Sequence, residues 1–165
     1  MMCKKIGTKN FVFDSNVIKD EFKVVKLLYL KARINKKGFP RKFGFAESFV
    51  INACHFCEIC LKSLILLEGS EAVRTHDLLE LFKMLSDTER NDIAFKTLSK
   101  WNCSKSKYLL NFEEMLEKEK NNFVEFRYLM FSDRDKTDKY TCCPFLKELS
   151  KVLKDKCLSA YEKLG

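Results

Sequence analysis

The stretch from Phe43 to Leu85 constrains the fold most strongly, because its apolar residues recur at helical spacing. Steps of three or four residues separate the members of one stripe in its first half: Phe45, Phe49, Ala53, Phe56, Cys60, Leu64 and Leu67. This period predicts a long helix from about Phe43 to Glu68. Gly69 suits the end of that helix, since glycine accepts the left-handed backbone conformation without a clash at Cβ.

A second, shorter helix is predicted from His76 to Leu85. Thr75 directly precedes it, and a threonine hydroxyl can accept a hydrogen bond from a free N–H group of the first helical turn. Asp77 places negative charge in that turn, where the helix dipole favours it. The sequence therefore predicts that Thr75 is the N-cap of this helix.

Helical patterns also cover most of the remaining chain, which contains only five Gly and two Pro. Further helices are predicted over residues 15–36, 87–101, 105–131 and from Pro144 onward. The first carries one apolar stripe: Ile18, Phe22, Val25, Tyr29 and Ala32. Ser86 and Glu89 have the spacing of a capping box, in which each side chain bonds a backbone N–H at the helix start.

These patterns predict an all-α fold, an antiparallel up-down bundle of five to six helices. A chain of 165 residues fits a single domain, 1–165. Residues 1–14 are expected to form a loosely held basic lead-in, and residues 132–142 a polar loop. The composition is 46% hydrophobic and 33% charged, as expected of a folded soluble protein rather than a disordered chain.

The net charge of +8 favours contact with phosphate or with acidic proteins, although a solvated lysine-rich surface explains it equally simply. The N-terminal residues lack the apolar core of a signal peptide, and no apolar run approaches the length of a membrane helix. We therefore expect a cytoplasmic protein with free thiols and no membrane partner. Cys54, Cys57 and Cys60 are interpreted as small core residues, and no metal site or cofactor is expected.

Three polar residues of the long helix share one face, because three and four residues separate His55, Glu58 and Lys62. One interpretation is a polar stripe at the edge of the bundle. The other is a polar pocket whose opposite wall is supplied by Glu119 and Arg127.

A second polar group opens the next helix, where Arg74 and His76 place a cation and an imidazole beside Asp77. Free N–H groups at a helix N-terminus attract anions, and histidine can act as acid or base near neutral pH. The alternative is an ordinary helix cap with His76 packed nearby. Later in the chain Tyr128 adjoins Arg127, and a tyrosine in this setting can stack on a base.

These residues resemble the HEPN family of helical bundles, which occur in prokaryotic toxin–antitoxin and phage-defence modules. The resemblance covers residues 45–131 and is carried by His55-Phe-Cys-Glu58-Ile-Cys-Leu-Lys62-Ser-Leu, the Gly69 turn, Thr75-His76-Asp77-Leu78 and Phe-Arg127-Tyr128. It implies an up-down bundle of four or five helices that is commonly dimeric, so a homodimer is expected.

Many members of that family resemble metal-independent ribonucleases, in which an Arg is followed after four to six residues by a His. This sequence departs from that pattern, because one residue separates Arg74 from His76 and no His follows Arg127. Our first hypothesis is therefore a non-catalytic binding protein of a defence, toxin–antitoxin or immunity module. Its partner would be RNA, a nucleotide or another protein.

Two alternative functions remain open. One is a ribonuclease with a degenerate site, in which His76 is the acid or base and Arg74 or Arg127 holds the phosphate. The other is an antitoxin or immunity protein that neutralises a toxin by covering it. Under the first hypothesis the candidate binding residues are Arg74, His76, Asp77, His55, Glu58, Lys62, Arg127 and Tyr128.

Overall fold

Six helices make up most of the structure, a computed structural model that describes residues 15–34, 45–71, 74–99, 108–119 and 143–163. In chain order they are α1 (Ser15–Ile34), α2 (Phe45–Leu67), α3 (Leu78–Lys83), α4 (Asp87–Leu98), α5 (Tyr108–Glu119) and α6 (Cys143–Glu162). No strand occurs within these ranges. The prediction of an all-α fold is confirmed.

Helix α2 occupies the centre of the packing, in contact with α1, α3 and α6. The ring of Phe56 lies 5.8 Å from that of Phe22, and the ring of Phe49 lies 5.3 Å from that of Tyr29, so α1 runs antiparallel to α2. Helix α6 also packs on α1 and is parallel to α2, since Cys57 contacts Ser150 and the Cys157 thiol donates to the Cys60 carbonyl oxygen.

A second aromatic cluster joins the remaining helices to this group. The Phe112 ring of α5 lies 4.6 Å from Phe82 of α3 and 5.4 Å from Phe145 of α6. All three rings are fully buried. Burying a phenylalanine contributes about 1.5–3 kcal/mol relative to leaving it exposed, so this cluster holds α3, α5 and α6 together.

The predicted inner stripe of α1 faces the core. Ile18 and Val25 are buried, and Phe22 and Tyr29 are partly buried against the core. Lysines of α6 cover both rings, because Lys154 Nζ lies 4.6 Å from the centre of Phe22 and Lys147 Nζ lies 5.4 Å from that of Tyr29. Each ammonium group lies over the face of a ring, where the cation is attracted to the π electrons.

The end of α2 forms as predicted. Gly69 has a φ of 85°, in the left-handed region that glycine adopts readily. The Gly69 N–H donates to the Leu66 carbonyl at 3.1 Å and the Ser70 N–H donates to the Ile65 carbonyl at 3.2 Å. This pair of bonds is the Schellman motif, which satisfies carbonyl groups left free at a helix end.

The prediction that Thr75 caps the next helix is wrong. Asp77 is the N-cap of α3, and its Oδ1 accepts hydrogen bonds from the Leu79 N–H at 2.8 Å and the Glu80 N–H at 3.1 Å. Thr75 Oγ1 instead accepts from the Asp77 N–H at 3.1 Å, which fixes the cap residue. An ionised carboxylate binds two first-turn N–H groups more strongly than a hydroxyl does, so α3 begins two residues later than expected.

Ser86 caps α4 as predicted, with its Oγ accepting from the Glu89 N–H at 3.4 Å. The reciprocal half of the capping box comes from another residue, because Glu68 accepts from the Ser86 N–H at 3.0 Å and from its hydroxyl at 2.7 Å. The Glu89 carboxylate instead accepts a hydrogen bond from Lys156 of α6, with Oε2 2.7 Å from Nζ. The carboxylate at the end of α2 therefore fixes where α4 begins.

The other predicted ends differ by a few residues. Helix α3 ends at Lys83 rather than Leu85, and α4 ends at Leu98 rather than Trp101; α1 is described as far as Ile34, and its predicted last residues, 35 and 36, lie outside the described residues. The predicted helix over 105–131 is described only from Tyr108 to Glu119. Its later part, the lead-in 1–14 and the loop 132–142 lie outside the described residues.

Helix α2 contradicts the expectation that no apolar run approaches the length of a membrane helix. Within it, Ser48–Leu67 spans 20 residues and contains an 18-residue window with a mean hydropathy of 1.7, so it is long and apolar enough to cross a membrane by these two criteria. The core helix of a water-soluble bundle meets the same criteria, and 61% of this segment is buried inside the fold. By length and composition alone, this helix carries little weight as evidence of a membrane span.

Candidate functional site

The Glu58–Lys62 pair forms one part of the candidate site. Lys62 Nζ donates to Glu58 Oε1 at 2.7 Å along one face of α2. The Glu58 side chain is only 7% exposed and that of Lys62 is 19% exposed. The pair therefore lies at the margin of the core, where an ion pair is stronger than at an open surface.

His76 joins this pair from the loop before α3. Its Nδ1 lies 3.0 Å from the same Glu58 oxygen, a distance at which the imidazole N–H donates to the carboxylate. The His76 side chain is 58% exposed. One buried oxygen thus binds an ammonium and an imidazole, and we name Glu58, Lys62 and His76 the Glu58 cluster.

The structure unites two groups of residues that the sequence places apart. His76 is separated from Glu58 by 18 positions, and the tight turn at Gly69 returns the chain along α2. His55, predicted to share the face of Glu58, is on α2 with an exposed side chain. Arg74 is also exposed, two residues before His76 in the same loop.

The second oxygen of Glu58 adds an unusual feature. Oε2 is buried and has no hydrogen-bond partner within the described residues. Burying part of a carboxylate without a partner opposes folding, so the bonds to Lys62 and His76 must hold Glu58 in place. This arrangement makes the orientation of His76 depend on a residue fixed in the core.

The start of α3 does not present free N–H groups at the positions that Asp77 caps. Because Asp77 Oδ1 accepts from both Leu79 and Glu80, an anion has to be bound here by side chains rather than by these backbone groups. The role of Asp77 is thus to cap the helix and fix the loop. Arg74 and His76 are exposed polar residues that precede it, and Glu80 is an exposed carboxylate that follows it in the first turn of α3.

The proposed opposite wall of the pocket is described only in part. Glu119 is the last residue of α5 and is almost completely buried. Its negative charge contributes to raising the pKa of Cys57. Arg127 and Tyr128 lie outside the described residues.

Cys54, Cys57 and Cys60 are core residues, as the sequence predicts. All three are buried free thiols, together with Cys157 of α6. Burial raises the pKa of the Cys57 thiol to about 12, with the Ser150 hydrogen bond opposing the shift, and burial also raises the pKa of Cys60. Thiols in this state are poor nucleophiles. Within the described part of the chain, no group of three or more His, Cys, Asp or Glu residues is placed to hold a metal ion.

A second ionic cluster, which the sequence analysis missed, links α4 to α6. Lys156 forms ion pairs with Glu89 and Asp92, and Lys96 binds Asp92 at 2.7 Å. Partial burial of Asp92 disfavours its charged form, but hydrogen bonds from Lys156 and Lys96 outweigh this and lower its pKa. Helical spacing signals the Asp92–Lys96 pair, whereas no local pattern signals Lys156.

Comparison with protein-family models, with curated proteins and with solved structures gives no match to this chain.

Proposed function

We propose that the chain is a non-catalytic binding protein of a prokaryotic defence or toxin–antitoxin module, with a HEPN-like up-down bundle. Its ligand group is an anion, and the phosphate of RNA or of a nucleotide is our first choice. Arg74 and His76 provide the contact, with Lys62 behind them. The observation that carries the proposal is the bond between His76 and Glu58, which fixes an exposed imidazole in the same loop as the exposed Arg74.

The orientation of His76 supports binding by its outer edge. Because Nδ1 is bonded to Glu58, a carboxylate of the core sets the orientation of the ring, while 58% of the side chain remains exposed. A histidine anchored in this way loses little conformational freedom when a ligand binds. Arg74 can then add a guanidinium, whose planar donor geometry matches phosphate oxygens.

The two cations of the site, Lys62 and Arg74, support an anionic ligand, whereas the exposed carboxylate of Glu80 in the first turn of α3 opposes one. Lys62 offsets the charge of Glu58, and the carboxylate of Asp77 is engaged by the backbone of α3. Arg74 adds positive charge at the exposed side of the loop. The chain as a whole carries a net charge of +8, which increases the attraction of polyanions over longer distances.

Binding without turnover is favoured by the arrangement of the catalytic candidates. Phosphoryl chemistry needs a proton donor or acceptor and a cation fixed against the developing charge. His76 is held by Glu58. Arg74 is an exposed loop residue, and only Thr75 separates it from His76 in the sequence. The spacing that aligns the two groups in the ribonucleases this chain resembles is missing.

A metal-independent ribonuclease is the second candidate function, favoured by the same contact. A carboxylate bound to one imidazole nitrogen fixes the tautomer and orientation of the ring, as required of a catalytic histidine. In that case His76 would be the acid or base and Arg74 the phosphate contact. Loss of RNA cleavage in His76→Ala, with retained folding, would support this candidate.

The test measures binding and cleavage together with labelled single-stranded RNA, tRNA and ATP as probes. We expect intact RNA, salt-sensitive affinity and a loss of about tenfold or more in Arg74→Glu. Lys151→Glu is the matched control, because it makes the same charge change at an exposed position of α6. Equal effects of both variants, or no affinity for any of the three probes, would refute phosphate binding. An acidic protein captured through Arg74 would instead favour the antitoxin or immunity alternative.

A further inference from the structure

Helix α1 carries a second apolar stripe on the side opposite its buried one. Val17, Val24, Leu27 and Leu30 are 51%, 44%, 55% and 47% exposed. They are four of the six large hydrophobic residues that are exposed in the described part of the chain. An apolar group concentrated on one helix in this way indicates a contact surface rather than scattered surface residues.

The outer stripe has the spacing of a coiled-coil seam. Alternating steps of three and four residues connect three of the four apolar residues with two charged ones, in the order Val17, Asp20, Val24, Leu27 and Lys31. Residues at this spacing stay on one face when two helices pack along each other. Asp20 and Lys31 are both exposed, near opposite ends of the seam.

The order of these residues is self-complementary in the antiparallel direction. If Val24 faces Leu27 of a second copy, the same register places Asp20 opposite Lys31 of that copy, and each contact occurs twice by symmetry. A parallel pair would instead place Asp20 opposite Asp20 and Lys31 opposite Lys31, which is repulsive.

We propose that two copies of this chain associate through α1, with the two helices antiparallel and Asp20 paired with Lys31 across the contact. The inference does not depend on the proposed phosphate site, which lies on α2 and the loop before α3. Helix α1 has 20 residues and is therefore about 30 Å long. One helix pair of this length is a small interface, so the dimer has a micromolar dissociation constant.

The experiment is a charge swap followed by sedimentation of the full-length chain over a concentration series. Asp20→Lys and Lys31→Asp each place like charges together, and each should raise the dissociation constant about tenfold or more. The double variant Asp20→Lys with Lys31→Asp restores opposite charges, and its constant should return to within about threefold of wild type. In a parallel pair the double variant would still oppose like charges, so restoration also reports the direction.

Lys26→Asp is the matched control, since it makes the same charge change at an exposed position outside the seam. Asp20 also forms an exposed ion pair with Lys23, and loss of such a pair has little effect on folding. Thermal melting followed by circular dichroism checks this for every variant. A wild-type chain that is monomeric at tens of micromolar overturns the inference. So does a double variant that remains as weak as the single ones, or a control that weakens the dimer equally.

Discussion

His76 Nδ1 and Glu58 Oε1 are 3.0 Å apart, which ties the loop before α3 to the central helix α2. The same Glu58 oxygen accepts from Lys62 at 2.7 Å. An exposed residue is therefore oriented by a carboxylate that belongs to the core. This relationship links the stability of the bundle to the geometry of the proposed binding surface.

Replacing Lys62 by Ala should destabilise the fold by about 1–3 kcal/mol, because it removes a charged donor from a carboxylate that is almost fully buried. His76→Ala should have a smaller effect, since the imidazole is mostly exposed. Urea unfolding measures both changes. Lys23→Ala is the control, as its pair with Asp20 is exposed and should contribute within about 0.5 kcal/mol. A Lys62→Ala effect no larger than this control would mean that the Glu58 pair adds little to stability.

Asp77→Ala should lower the free energy of unfolding by about 1 kcal/mol, because two first-turn N–H groups of α3 lose their acceptor. Thr75→Ala should lower it less, since Thr75 binds only the N–H of the cap residue. Chemical denaturation of the two variants side by side tests the assignment of the N-cap. A larger loss of stability in Thr75→Ala than in Asp77→Ala would indicate that Thr75 is the N-cap.

Cys54, Cys57, Cys60 and Cys157 should resist alkylation in the native protein. With its pKa raised to about 12 by burial, Cys57 is a thiolate in only about one molecule in 10⁴ at pH 8. Iodoacetamide labelling followed by peptide mass spectrometry should leave these four positions unmodified until denaturant is added. Rapid native labelling at any of them would show that the α2–α6 contact opens readily.

The stability contributed by Asp92 should decrease in acid. Its pKa is lowered in the folded state, so the contribution is complete above the ordinary aspartate pKa and is lost as pH falls through the lowered value. Lys156 has a raised pKa, so its contribution is complete below the ordinary lysine pKa and is lost as pH rises through the raised value.

Urea unfolding midpoints measured across pH test whether stability is lost in acid through Asp92 and in base through Lys156. Asp92→Asn should flatten the acid limb of the profile. Asp155→Asn provides the comparison, because Asp155 is an exposed residue of α6 whose ion pair, within the described part of the chain, is with its neighbour Lys154. An unchanged acid limb in Asp92→Asn would show that other carboxylates control acid unfolding.

The sequence by itself determined the helical class and the inner faces of the helices. The stripe from Phe49 to Leu64 and the stripe from Ile18 to Tyr29 have the period of a helix, and their members pack into the core. The stops and caps at Gly69 and Ser86 were also predictable, because glycine conformation and serine hydrogen bonding act over a few residues.

The tertiary structure decided which polar residues meet. Glu58 reaches both Lys62 and His76, Glu68 replaces Glu89 in the capping box of Ser86, and Lys156 draws α6 onto α4. Helical spacing does not predict the contacts of Glu58 with His76, of Glu68 with Ser86 or of Lys156 with Glu89, because each contact joins residues of separate elements. The outer stripe of α1 is likewise distinguished from a core stripe only once the neighbouring helices show which side they cover. Local spacing fixes what a helix is, whereas packing between helices decides which of its faces are left for binding.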